Sequence, residues 1–285
     1  MPQYRAGSVL ASRGVIPSCR GIDTGDKPIE VPKGPRPATR SPDVGPLSRP
    51  RRVEDAEELR LIQRAIAAMV TTPEPIQILE AGCGRAWTVP LEGIGYRLTG
   101  LDIDPEALRA RVENVGDLDE AIVGDLRTAT LPEGRFDVIF CAYVLEHVPD
   151  PIVVLENFRR WLQPRGLIII RVPDPDSVYG FLARITPHWF HVAVYRYVFG
   201  NPNAGKPGFA PYPTHYDRLI SFRGMAAYCD TNDLHLREAV AHYLFGRSIR
   251  SRALALLTSS LGRLTLGRLA GDHNNLTFII ERRSP

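Results

Sequence analysis

The stretch ILEAGCGRAW, residues 78 to 87, runs from an apolar segment into an acid and then into two glycines separated by one cysteine. A strand that feeds a glycine-containing turn marks a place where a nucleotide-like cofactor can approach the backbone, because glycine has no Cβ to keep the ligand away. The dinucleotide pattern GxGxxG asks for a third glycine where the next helix packs on the strand. Counted from Gly82 and Gly84, that position is Trp87. An indole there obstructs the packing. Glu80 is a second objection, since a carboxylate two residues before the first glycine stands close to the turn that would receive a pyrophosphate. The same carboxylate suits a ligand that carries an ammonium and a sulfonium.

Outward from this turn the pattern is regular. In VEDAEELRLIQRAIAAMV, Leu59, Ile62, Ile66 and Met69 fall at helical spacing, with acids in the first turn where the helix dipole favours them, and TTPEP stops the helix. Short apolar runs then alternate with helical stretches: IQILE, RLTGLD, EAIVGD, FDVIFCAY and GLIIIRV are the runs, DPEALRARVEN and PIVVLENFRRWL two of the helices. This alternation predicts βαβ units and an α/β, doubly wound, mainly parallel sheet. LHLREAVAHY and NNLTFIIERR complete it at seven strands. Ligands in such folds bind beyond the carboxyl ends of the strands, so the residues that follow each run are the ones to search.

Read together, these segments resemble the class I S-adenosylmethionine-dependent methyltransferases, whose first motif is an acid followed by three glycines at alternate positions. Here Glu80, Gly82 and Gly84 match, and Ala86 replaces the last glycine. WTVPLEGIGY, with Pro90, Gly93 and Gly95, predicts a short or distorted first crossover helix. LTGLDIDPEAL resembles the second motif, which implies that Asp102 grips the ribose hydroxyls beside Ile103, whereas Asp104 before Pro105 reads as a helix cap. IVGDLR resembles the third, which implies that Asp125, with Leu126, meets the adenine. FDVIFCAYVLEHVPDP and WLQPRGLIII resemble the fourth-strand motif and the turn before the fifth strand. The resemblance covers roughly residues 54 to 172. It implies a Rossmann-like methyltransferase fold, S-adenosyl-L-methionine as cofactor, and Glu80, Gly82, Cys83, Gly84, Asp102, Ile103, Asp125, Leu126 and Cys141 around it, with Cys83 and Cys141 as spacers and not reactive thiols.

The rest of the chain bounds the function. Nine of the 25 prolines fall within the first 50 residues, which lack periodic apolar positions, so residues 1 to 50 read as an extended or disordered arm before a domain over 51 to 285. Through Arg52 there are ten Lys and Arg against four Asp and Glu, an asymmetry hidden in the net charge of +3. No basic stripe with interleaved aromatics follows, so no nucleic-acid partner is expected. Cys19, Cys83, Cys141 and Cys229 are scattered without a CxxC pair, which argues against a disulfide framework or a zinc site. No signal peptide or membrane-spanning run is recognisable, so a cytoplasmic location is expected.

The methyl acceptor is addressed by three segments. Residues 174 to 220, after the fifth strand, form an aromatic-rich insertion holding Tyr179, Phe181, Trp189, Phe190, Tyr195, Tyr197, Phe199, Phe209, Tyr212 and Tyr216; it suits a substrate lid or a small satellite core. THYDRLISFRGMAAYCDTNDLHLREA resembles a segment of small-molecule members in which the His faces the acceptor, making His215 one candidate base and His147, in LEHV, the other. Asp174 and Asp176, in VPDPD, could hold a divalent cation, although two acids alone make a weak site, so no metal is expected. Between the last two strands, residues 245 to 272 place Leu254, Leu257, Leu261 and Leu264 on one helical face near Arg250, Arg252, Arg263 and Arg268, so this segment either packs on its own domain or makes peripheral contact with an anionic membrane. The expected reaction is O-methylation of a small molecule, lipid or glycan; modification of RNA or protein, or cofactor binding without catalysis, are the rivals.

Overall fold

Each apolar run becomes a strand covered on both sides. Ile78 and Leu79, Val138 and Ile139, and Ile168 and Ile169 are all inaccessible or nearly so, and the two members of each pair join different cores. Successive residues of a strand point to opposite faces, so such pairs demand a helical layer on each side of the sheet.

The computed structural model describes residues 50 to 283 apart from 86, 88, 199, 207 to 210, 216, 244 to 248 and 266 to 267. The expected arm, bar Pro50, therefore lies outside the described residues, as do Ala86, Phe199, Phe209 and Tyr216. The elements in chain order are β1 (Arg51–Arg52), α1 (Asp55–Ala67), β2 (Ile76–Ala81), β3 (Tyr96–Asp102), α2 (Pro105–Asn114), β4 (Glu120–Val123), β5 (Phe136–Ala142), α3 (Pro151–Trp161), β6 (Leu162–Pro173), α4 (Val178–Ile185), α5 (His188–Ala193), α6 (Phe222–Thr231), β7 (Leu234–His242), α7 (Ile249–Leu264) and β8 (Asn275–Arg282).

The sheet order is β1-β7-β8-β6-β5-β2-β3-β4, parallel except for β8, which runs antiparallel to both β6 and β7. It has eight strands where seven are expected from the apolar runs. The extra one is β1, two exposed arginines that pair with Val240 and Ala241 at the edge. Nothing apolar marks it in the sequence. A second difference is the first crossover: no helix occurs among the described residues between β2 and β3. Pro90 and Gly93, the latter at φ 74°, favour turns over a helix there.

On one face α3 and α6 bury Phe158, Trp161, Met225 and Tyr228; on the other α1 buries Ile62 and Ile66. Glu58, which the sequence places among dipole-stabilising acids, is 1% exposed. Its carboxylate pairs with Arg171 of β6 at 2.7 Å and accepts a hydrogen bond from Thr277 of β8 at 2.5 Å. A buried charge persists only when paired and hydrogen-bonded, and here the pair fixes α1 across the sheet. His242, fully buried 3.9 Å from Glu58, is pushed down to about 4 by burial and stays neutral at pH 7.

The chain leaves β2 toward β3 and β4 on one side, and β5 toward β6 on the other. Strand order thus reverses between β2 and β5. A crevice beyond their carboxyl ends is where an α/β sheet binds its ligand.

Candidate active site

Gly82 and Gly84 lie at that reversal, with φ of 70° and 53°. The Gly82 amide donates to the Leu101 carbonyl at 2.8 Å, and a Cβ on Gly82 would stand 2.2 Å from Cγ2 of Val144, just past β5. Glycine is required here by both angle and space. Gly84 is different, since a Cβ there would meet nothing within 4 Å. Its missing side chain leaves open room beside the turn. Gly82→Ala is expected to cost about 2 to 4 kcal/mol of stability, from a left-handed alanine plus overpacking against a β-branched neighbour. Denaturant unfolding checks this; an unchanged midpoint would mean that Val144 yields freely.

Asp102, at the end of β3, faces the turn. One carboxylate oxygen accepts the Gly84 amide at 2.7 Å and the other the Asp104 amide at 2.9 Å. Each oxygen keeps a lone pair, so the carboxylate is oriented without being saturated. Asp104 caps α2 by accepting from the amides of Glu106 and Ala107. The next residue after Asp102, Ile103, is 68% exposed, an apolar platform beside the acid. Asp125 is held by Arg127 at 2.6 Å, and that pairing lowers its pKa. Leu126 is buried, and its carbonyl accepts from Asn157 at 2.8 Å. Cys83 and Cys141 are buried, and burial pushes both thiols up, Cys83 to about 12, which leaves them inert as nucleophiles.

Glu80, expected to face a cationic ligand, has a protein partner. It is 5% exposed and ion-pairs with Arg111 of α2 at 2.6 Å. Arg111 is fully buried; it also donates to the Cys83 carbonyl at 2.7 Å and forms two bonds with Asp117, at 2.9 and 3.0 Å. Burial pushes the Glu80 carboxyl up while Arg111 opposes. The pair braces the glycine turn from below.

The end of β5 carries the second half of the site. Tyr143 follows the strand at φ 58°, with the Arg171 guanidinium 5.3 Å above its ring. Left-handed angles at a tyrosine are strained, and such strain gathers at functional sites. A 3-10 turn over Leu145–His147 comes next, and the segment before α6 lies against it: the His215 amide donates to the Glu146 carbonyl at 2.7 Å, and His147 Nδ1 meets the Pro213 carbonyl at 2.7 Å. A carbonyl only accepts, so Nδ1 carries the proton and Nε2 of the neutral ring has the lone pair. Burial lowers the His147 pKa, and the bond to the Pro213 carbonyl partly opposes that shift. Tyr143 Oη, Glu146 Oε2 and Trp87 Nε1 are buried without a hydrogen-bond partner among the described residues. A buried polar atom without a partner is a place where a polar ligand group can bind.

Residues 53 to 230 match the family model described as Methyltransferase domain. The chain belongs to this methyltransferase family. The ubiquinone biosynthesis O-methyltransferase of Xanthomonas campestris pv. campestris is 28% identical over 188 residues, 61% of this chain and 68% of the relative. That of Thiobacillus denitrificans is 33% identical over 97 residues, 32% of this chain and 42% of the relative. The YcgJ protein of Bacillus subtilis superposes with a TM-score of 0.51 at 14% identity, covering 81% of this chain and 99% of that one, so the fold is shared. The methyl donor of the family is S-adenosylmethionine, and the open room at Gly84, the unsaturated Asp102 and the exposed Ile103 fit such a ligand.

In this methyltransferase the structure brings Gly82, Gly84 and Asp102 to one turn, and His147 and His215 to one crossing. Asp174 stands elsewhere: it is buried against His273 Nε2 at 2.8 Å, while Nδ1 of that histidine reaches Asp272 at 2.9 Å. Asp176 is exposed, and no His, Cys, Asp or Glu group that could hold a metal occurs among the described residues. Arg111 went unread in the sequence, although a signal was available. It shares the buried helical face of Ala107 and Leu108, where an apolar residue would be ordinary.

Proposed function

We propose that this methyltransferase methylates a hydroxyl of a small molecule, lipid or glycan, with His147 as the general base. The Nδ1 contact of His147 with the Pro213 carbonyl carries the reading, because it aims a neutral Nε2 lone pair away from that carbonyl, at the end of β5. When bound, S-adenosylmethionine supplies an electrophilic methyl group on a sulfonium. Gly82, Gly84, Asp102, Ile103, Asp125 and Leu126 would hold it. Asp102 would accept from the ribose diol with the lone pairs that its backbone bonds leave. Ile103 and Leu126 would cover the adenine with Asp125 at its edge once Arg127 shares it. Glu80 keeps the turn rigid through Arg111. His147 takes the acceptor's proton as the methyl arrives, and Tyr143 Oη and Glu146 Oε2 position the acceptor. His215 holds the segment that bears Pro213. The names of the relatives in Xanthomonas and Thiobacillus support a hydroxyl acceptor.

Methyl-tritiated S-adenosylmethionine offered with a lipid extract, a polar extract and bulk RNA tests the proposal. Label in a hydroxyl of an extractable molecule is expected; label confined to RNA or protein, or none, would overturn it. Asp102→Ala is expected to weaken binding of S-adenosylhomocysteine by about 1.5 to 3 kcal/mol, the value of charge-assisted bonds to a diol. Calorimetry reads it directly, and an unchanged Kd removes Asp102 from the ribose.

A further inference from the structure

Two stretches of this chain carry no acid at all. Residues 177 to 216 and 239 to 271 contain eight Lys or Arg and not one Asp or Glu. The fold brings them together. The Val178 amide donates to the Ala270 carbonyl at 2.8 Å and the Ala270 amide to the Asp176 carbonyl at 3.0 Å, a bridge that joins the start of α4 to the chain beyond α7. α4 and α7 pack as neighbours.

Their surface is apolar to an unusual degree. Phe181, Leu182 and Ile185 of α4 are exposed, Trp189 and Phe190 of α5 likewise, and Tyr197 and Leu264 are each 78% accessible. Single exposed apolar residues are ordinary, but a group of this size on consecutive elements marks an interaction face. Arg184 of α4, Arg196 beside Tyr197, Arg263 of α7 and Arg268 just beyond it are exposed as well. Asp176 at the bridge and Asp272 just beyond it are the exposed acids bordering this surface; the exposed Trp and Tyr among aliphatics, with four arginines, are the side chains that partition into the headgroup layer of a bilayer. A protein partner of opposite charge would leave the exposed tryptophan and aliphatic side chains without a matching environment, whereas an anionic bilayer answers both features. No helix among the described residues is long and apolar enough to cross a membrane, so the fit is with its surface.

We infer that α4, α5 and α7 dock this methyltransferase on an anionic lipid bilayer, with Trp189, Phe190 and Tyr197 in the interface and Arg184, Arg263 and Arg268 on the headgroups. α4 begins just beyond the carboxyl end of β6, so the docked face borders the edge of the sheet where ligands bind. The inference stands apart from the identity of the acceptor, and its test needs no turnover.

Full-length protein is sedimented with vesicles of phosphatidylcholine alone or containing about one third phosphatidylglycerol. Binding to the anionic vesicles only is expected, weakened in about 0.5 M salt. Trp189 fluorescence should shift to the blue, a change that Trp189→Phe removes while Trp161, already buried at 2%, stays silent. Arg263→Gln with Arg268→Gln should weaken binding about thirtyfold, roughly fivefold for each cation lost. Trp189→Ser with Phe190→Ser should weaken it further, with S-adenosylhomocysteine affinity kept as the check on folding. Equal binding to both vesicle types overturns the inference. So does unchanged binding of the variants, which would assign it to the basic residues before 53, and so does concentration-dependent self-association that buries Trp189 without vesicle binding.

Discussion

His147→Gln is expected to lower the single-turnover rate of methyl transfer by about 10²- to 10⁴-fold, the usual worth of a positioned general base. Glutamine keeps a polar group of similar reach but has no basic nitrogen. The proton on Nδ1 is committed to the Pro213 carbonyl, so Nε2 is the lone pair that is lost. S-adenosylhomocysteine affinity should stay within about twofold, because the ring lies beyond the turn that would bind the cofactor. The pH profile gives a second readout. Burial depresses the His147 pKa below the ordinary histidine value of about 6.5, so the basic form dominates at neutral pH. Activity should therefore rise with pH through a limb below about 6.5 and be level from 7 upward, and the variant should lose the limb. His215→Gln should cost much less, since His215 reaches the turn through its backbone amide. Rates within threefold of wild type for His147→Gln would pass the role to Tyr212, whose ring contacts His147 edge-on at 5.7 Å, or to His215.

Arg111→Leu is expected to destabilise the fold by about 3 to 5 kcal/mol, the cost of breaking a buried pair by removing one partner. Three groups lose their cation together: Glu80, Asp117 and the Cys83 carbonyl. The sign of the pH dependence follows from Glu80. Burial raises its folded pKa above the unfolded value, and Arg111 is the group that opposes the rise. A raised carboxyl stabilises the fold below the unfolded pKa and loses that contribution as pH climbs through the folded value. Stability of Arg111→Leu should thus be lowest in mild alkali and recover toward pH 5.5, read by urea midpoints. Adding Glu80→Gln should restore part of the loss at pH 8, because no charge is then left buried. A single variant as stable as wild type at every pH would show that the turn does not rely on the pair.

The motif order along the sequence points to the methyltransferase family, because glycines and strand-end acids are local demands. Gly82 must take left-handed angles, Asp104 must cap α2, and both needs are met within a few residues. Sequence spacing could not say where a carboxylate would turn. Glu80 and Asp125 stand at the expected strand ends, yet Arg111 and Arg127 hold them. The first of these partners lies 31 residues away and meets Glu80 only after α2 docks on the sheet. Glu58 reads in the sequence as one of the first-turn acids favoured by the helix dipole, and its burial was not legible for the same reason: Arg171 and Thr277, its partners, come from strands far along the chain.

The sequence by itself determined the α/β alternation, the glycine turn, the acid at the end of β3 and the absence of acids from the two late segments, all of them properties of residue type and spacing. Only the tertiary structure decided the eighth strand, the ion pairs beneath the turn, the Nδ1 contact between His147 and the Pro213 carbonyl, and the packing of α4 against α7. The physical reason is distance along the chain. Propensity and periodicity act over one or two turns, whereas burial, pKa and tautomer depend on groups that come together only when the whole sheet closes.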